Sequence, residues 1–127
     1  MTSDILEVSH QEVMRRFLYL YRMEKLPHDA VATAVWYASD VSCGSLVWVG
    51  KAKKKARIKG TITAPEARGE GHGAAMLEHL IAEAVKGGAE IVEVFARDPE
   101  WYLKNGFSVD RVTKWGVTVL SKPLLGG

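Results

Sequence analysis

Apolar and polar positions follow two different rhythms along the chain. Between residues 10 and 25 the period is helical: Val13, Phe17, Leu20 and Tyr21 share one face with Glu24, while Arg15, Arg16 and Arg22 lie elsewhere. Ser9 and Glu12 stand at capping-box spacing, which predicts a helix start at that serine, and Pro27 predicts its end. A short apolar stretch at 5–8 precedes it as a strand. Next, the β-branched and aromatic runs VATAVWYA (31–38), SLVWVG (45–50) and ARIKGTIT (56–63) predict three strands joined as hairpins. Helical spacing returns at Ala74, Leu77, Leu80, Ile81, Ala84 and Val85 until Gly87 and Gly88 stop it. EIVEVFA (90–96) reads as a strand. Asp98 as N-cap and Pro99 at the first helical position predict a short helix ending near Asn105 and Gly106, and FSVDRV and GVTVLS predict a last strand pair. The crossover helix between TIT and EIVEVF implies one parallel strand pair in a mostly antiparallel sheet, so the expected class is α+β. The final PLLGG is expected to be a frayed tail.

Totals narrow this only where they exclude something. A chain of 127 residues, 47% apolar and 25% charged, fits one domain over 1–127 with a real core. The single cysteine, Cys43, cannot form an internal disulfide, and MTSDILEVSHQE lacks the basic and apolar regions of a signal peptide, so a reducing, cytoplasmic setting is expected. No apolar run approaches the ~20 residues that span a bilayer, so no membrane role is expected. Net charge is only +2, but six of the nine residues in KAKKKARIK (51–59) are basic. One reading is a solvated hairpin turn whose lysines discourage edge pairing. The other is a ridge near the cofactor end of a cleft, with Lys51, Lys53, Lys54, Lys55 and Arg57 attracting an anionic acceptor such as nucleic acid. With one cysteine and no HxH or HxxxH spacing among His10, His28, His72 and His79, no metal site is expected; His72 and His79 read as surface residues.

The most specific chemistry lies in TITAPEARGEGHGAAML (61–77). A helix start leaves amides without partners and carries partial positive charge, and glycines let an anion approach the main chain, so the segment is suited to a phosphate. A P-loop is excluded because no Lys-Ser or Lys-Thr follows the glycines. Gly69, Gly71 and Ala74 satisfy the dinucleotide fingerprint with Glu93 beyond, but too little chain follows EIVEVF for the remaining βαβ units.

A third pattern, RxxGxG, is met by Arg68, Gly71 and Gly73 after Thr63, Ala64, Pro65 and Glu66. It resembles the pyrophosphate loop of the GNAT acyl-CoA N-acyltransferase superfamily. WYLKNGF (101–107) resembles that family's C-terminal signature, in which the tyrosine commonly serves as general acid. The resemblance covers residues 56–112 well, and the first 55 residues match in their order of elements. It implies a three-layer α/β/α fold in which the strand before the loop splays from its parallel neighbour. The pantetheine arm of acetyl-CoA, or a related acyl-CoA, would lie in the gap, with Ile62 and Thr63 facing Glu93 to Phe95. The diphosphate would take amides from Arg68, Gly69, Glu70, Gly71, His72, Gly73 and Ala74.

The same resemblance implies attack of an acceptor amine on the thioester, an oxyanion held by the backbone near Thr63, and a proton delivered to the thiolate by Tyr102. Plainer readings stand beside these. Arg68 either contacts phosphate or caps the loop, and Tyr102 is either the acid or a core aromatic under Phe107. Glu66, His72, Asp98 or a water chain could serve as base. The tryptophans either pack the core or line an acceptor pocket. A nucleic-acid-modifying branch, a non-catalytic CoA-binding module and a homodimer are further alternatives.

Overall fold

A computed structural model describes residues 4–26, 33–50 and 54–124. In chain order the elements are β1 (Leu6–Val8), α1 (His10–Met23), β2 (Val35–Ala38), β3 (Ser42–Val49), β4 (Lys55–Thr63), a single 3-10 turn at Pro65–Ala67, α2 (His72–Lys86), β5 (Ile91–Ala96), α3 (Glu100–Lys104), β6 (Ser108–Val112) and β7 (Thr118–Pro123). The strands form one seven-stranded sheet in the order β1-β2-β3-β4-β5-β7-β6, antiparallel except for the β4–β5 pair. The α+β class and the mixed sheet agree with the sequence reading, as does the order of elements. Lys51 and Lys53, Pro27 and the first residues of the 31–38 run lie outside the described residues.

Helix α1 begins where the sequence places it. The Ser9 side chain accepts a hydrogen bond from the Glu12 amide at 3.1 Å, and Val13, Phe17, Leu20 and Tyr21 are buried. The reciprocal half of the capping box does not form; the Glu12 carboxylate takes the Arg15 guanidinium instead, at 3.0 Å to Nε. Beneath α1, Trp36, Ala38, Cys43, Ile62 and Ala64 complete one apolar layer. A second lies on the other face of the sheet, where Met76, Leu77, Leu80 and Ala84 of α2 pack on Leu46, Ala56, Ile58, Val92, Val94 and Leu120, and Phe107 joins them. The sheet is thus covered on both faces, which makes the three layers.

Several expectations need correction. Ala74 and Val85 are exposed and Met76 joins the core instead, because α2 is rotated relative to the face drawn from spacing alone. His79 is no ordinary surface residue: its ring packs edge-on against Tyr37 at 4.9 Å between centroids. The cap of α3 is Pro99, with Asp98 one residue outside, accepting weakly from the Glu100 amide at 3.4 Å. The tail is docked at least to Leu124, which is buried and donates its amide to the Glu90 carbonyl at 2.8 Å.

Two glycines inside the folded layers mark close approaches. Gly87 lies under Trp48, where an added Cβ would stand 2.2 Å from a ring carbon. Gly60 has φ of +66° and opens β4 into a bulge: Cys43 pairs with Ile62 but Ser45 with Lys59, so two residues oppose Gly44 alone.

Candidate active site

The bulge decides where the sheet opens. Strands β4 and β5 pair from Lys55↔Ile91 to Ile58↔Val94 and no further, although both continue, β4 to Thr63 and β5 to Ala96. Beyond Ile58 the two strands diverge and leave a gap inside the sheet. Glu93 does not face that gap, contrary to expectation. It pairs in register with Arg57, nearly fully buried, and its carboxylate takes the Arg57 guanidinium at 2.6 Å and the Lys55 ammonium at 3.5 Å. The residues opposite Ile62 and Thr63 are therefore those after Val94.

The freed segment of β4 is braced from outside the ladder. The Ser45 hydroxyl donates to the Lys59 carbonyl at 3.0 Å, Tyr21 to that of Gly60, Ser42 to that of Ile62 at 3.1 Å, and Arg68 Nε to that of Thr63 at 3.1 Å. Four side chains, two from β3, one from α1 and one from the loop, thus occupy carbonyls of this segment, and the strand keeps its splayed course without a β5 partner. Arg68 pairs on its other side with the Glu24 carboxylate at the end of α1. Of the two roles open to Arg68, the structure displays the capping one.

Strand, turn and helix then converge. The 3-10 turn from Pro65 leads through Gly69 and Gly71, both in the left-handed region at φ of +84° and +85°, into α2, whose N-cap is Gly71. The first intrahelical bond runs from the Ala75 amide to the Gly71 carbonyl at 3.0 Å, so the amides of His72, Gly73 and Ala74 have no carbonyl one turn behind them. No side chain caps this end. It keeps its partial positive charge for whatever lies in front.

In front is a cleft of about 740 Å³ lined by Thr61, Ile62, Thr63, Ala67, Arg68, Gly69, Gly71, His72, Gly73 and Ala74 on one side, Asp98, Trp101 and Tyr102 on the other, and Glu24 at its edge. The structure thereby brings together Ile62, Thr63, Arg68, Gly69, Gly71, His72, Gly73, Ala74 and Tyr102. Glu70 is the exception: it does not line the cleft, and its exposed carboxylate stands 3.8 Å from the largely covered His72 ring. Glu66 is exposed on the 3-10 turn. Tyr102 packs edge-on against Phe107 at 5.5 Å and Trp101 at 5.0 Å, so the core-aromatic reading and the cleft position hold together. Burial pushes its hydroxyl pKa above the ordinary tyrosine value, because a phenolate in that setting would lose its water.

The basic stretch belongs to the opposite end of the sheet. Lys55 begins β4 and Thr63 ends it, a separation of roughly 25 Å at the strand rise. Lys54 faces Glu90 at 3.4 Å, and Lys55 and Arg57 hold Glu93, so among the described residues these three form no ridge beside the cofactor end. Among the described residues no three His, Cys, Asp or Glu side chains cluster as a metal site, and no helix is long and apolar enough to cross a membrane. Sequence reasoning missed Glu24, Thr61, Ser42 and Ser45. For Glu24 a signal was present: it is the one carboxylate on the otherwise apolar face of α1.

Comparisons with known proteins point one way. A family model described as an acetyltransferase (GNAT) domain matches residues 31–109. No curated protein matches in sequence. Among solved structures, N-acetylglutamate synthase from Neisseria gonorrhoeae, complexed with coenzyme A and L-arginine, is similar over 98% of this chain and 34% of its own, at 18% identity and a TM-score of 0.80. An IAA acetyltransferase from Bacillus cereus covers 97% of this chain and 100% of its own, at 17% identity and a TM-score of 0.73. A GNAT-family acetyltransferase from Staphylococcus aureus covers 95% and 98%, at 13% and 0.75. With the family model spanning well over half of the residues, on a fold shared with those enzymes, the chain belongs to the GNAT acetyltransferases, whose acyl carrier is acetyl-CoA.

Proposed function

We propose that this protein is a single-unit N-acetyltransferase that moves an acetyl group from acetyl-CoA to an amine by direct attack in a ternary complex. The observation that carries the proposal is the convergence on one cleft of the unpaired end of β4, the uncapped start of α2 and Tyr102. The diphosphate lies against the amides of the turn from Gly69 to Ala74, where helix charge and glycine backbone favour an anion. Glu70 contributes through its main chain alone, since its side chain does not line the cleft. The pantetheine arm runs along Ile62 and Thr63 and supplies the strand that β4 lacks.

An amide of the freed segment, between Thr61 and Thr63, polarises the thioester carbonyl and holds the oxyanion as the amine attacks. As the tetrahedral intermediate collapses, the carbon–sulfur bond breaks and the thiolate takes a proton from the Tyr102 hydroxyl, which burial keeps protonated at neutral pH. The attacking amine must lose its own proton first, and Asp98 at the cleft mouth is a carboxylate available to receive it.

The test is a mass-based transfer assay with acetyl-CoA against a panel of amines, peptides, DNA and tRNA. It runs beside a thermal shift, which rises with cofactor concentration if the cofactor binds the native state alone. Acetyl-CoA that leaves the melting curve unchanged at millimolar concentration refutes the proposal.

A further inference from the structure

We propose that Thr61 is a ligand-positioning residue, its hydroxyl donating a hydrogen bond to a carbonyl oxygen of the acyl-pantetheine arm, either the thioester or an amide. The inference rests on the acetyl-CoA reading above. Thr61 belongs to the bulge opposite Gly44, three residues past the last rung of the β4–β5 ladder, and it lines the cleft. It lies two residues farther from the anion-facing turn than Thr63, about 7 Å along the strand. A thiol carrier anchored at that turn would lay the distal part of its arm there.

The hydroxyls around the freed segment are otherwise used. Ser42, Ser45 and Tyr21 donate to carbonyls of β4, and Thr63 Oγ1 bonds Ser42 Oγ at 3.3 Å. Thr61 Oγ1 alone among them is enclosed without any hydrogen-bond partner among the described residues. It is lodged against Gly44, where an added Cβ would come within 3.2 Å of it, with Leu80 and Met76 beneath. A buried hydroxyl without a partner is costly, and valine would fill the same shape without that cost and with equal liking for a strand. Packing therefore gives no reason for threonine. A ligand does: Thr61 lines the cleft, and a change of χ1 rotamer, of which strands admit more than one, frees Oγ1 from Gly44 to meet a group lying there.

Titration calorimetry of wild type, Thr61→Val and Thr61→Ser with coenzyme A and with acetyl-CoA, beside the melting temperature of each ligand-free protein, tests this. Thr61→Val is expected to melt at or above the wild-type temperature yet bind about tenfold more weakly, with Thr61→Ser restoring affinity. A loss confined to acetyl-CoA assigns the thioester carbonyl; an equal loss for both ligands assigns an amide. Undiminished binding by Thr61→Val overturns the proposal, as does a lowered melting temperature with no loss of affinity, which marks a purely structural hydroxyl. Wild type that binds neither ligand overturns the acetyl-CoA reading itself, and this inference with it.

Discussion

Replacing Gly73 by alanine separates what the fold needs from what the cofactor needs. Unlike Gly69 and Gly71, Gly73 has no positive φ; it is an ordinary helical residue in the first turn of α2. Its added methyl would stand 3.6 Å from Thr63 Oγ1 and 3.6 Å from the Trp101 ring, normal contacts on both sides. The protein alone thus has no objection to alanine, which restricts the unfolded chain and favours a helix by about 0.5–1 kcal/mol. For a domain of this size that raises the melting temperature of the ligand-free protein by about 2–5 °C. The same methyl projects between the end of β4 and Trp101, into the cleft, where a diphosphate would have to touch the Gly73 amide. Wild type at a hundredfold excess over Kd gains about 2.7 kcal/mol, a shift of roughly 8–15 °C, and Gly73→Ala should forfeit most of it. Differential scanning calorimetry with and without acetyl-CoA reads both effects. A variant that melts lower when empty refutes the packing argument, and one that keeps the full ligand shift refutes the placement of the diphosphate.

Three further outcomes are expected. Tyr102→Phe should lower kcat while leaving coenzyme A affinity intact, and in wild type the alkaline limb of the rate profile, where the phenol loses its proton, should lie above the ordinary tyrosine range because burial raises that pKa; equal turnover removes the tyrosine from the reaction. Burial pushes the Cys43 thiol from 9.0 up to about 11, so the stability it confers is complete below pH 9 and is lost as pH rises toward 11, about 2–3 kcal/mol in all. Urea titrations across that window should show the decline; Cys43→Ala should remove its part between pH 9 and 10, below the range in which buried Tyr21 adds a loss of its own, and an unchanged slope there in the variant would place its origin elsewhere. Gly87→Ala keeps an acceptable φ of −80° but drives a methyl into Trp48, and overpacking less the gain from lost unfolded-state freedom leaves about 1–2 kcal/mol of destabilisation by denaturant titration; wild-type stability would show that the tryptophan yields freely.

Local signals carried much of the fold. Ser9, Gly87 and the run of Leu77, Leu80 and Ala84 act within a few residues of where they stand, and periodicity reports such effects directly. The glycine-rich turn was legible for the same reason, since helix start and left-handed backbone are both local. What stayed hidden depends on partners far apart in sequence. Glu93 resembled a cleft residue until its register with Arg57, 36 positions earlier, placed it inside the ladder. Arg68 carried two readings because its partner Glu24 is 44 residues away. Gly60 sat within an apparently regular strand, and only Trp36, whose ring an added Cβ would meet at 2.9 Å, explains why glycine stands there. The basic stretch misled because a hairpin position gives the charges without the acids that answer them.

Strand β4 stops pairing with β5 halfway along its length, and this places a raw edge in the middle of the molecule. A tighter sequence could zip the two strands to their ends, gain several main-chain hydrogen bonds, and leave nowhere for a carrier to lie. Reactivity here is bought with forgone stability, so thermostabilising selection without substrate should drift toward closing that seam, and the hardiest survivors should be the least active.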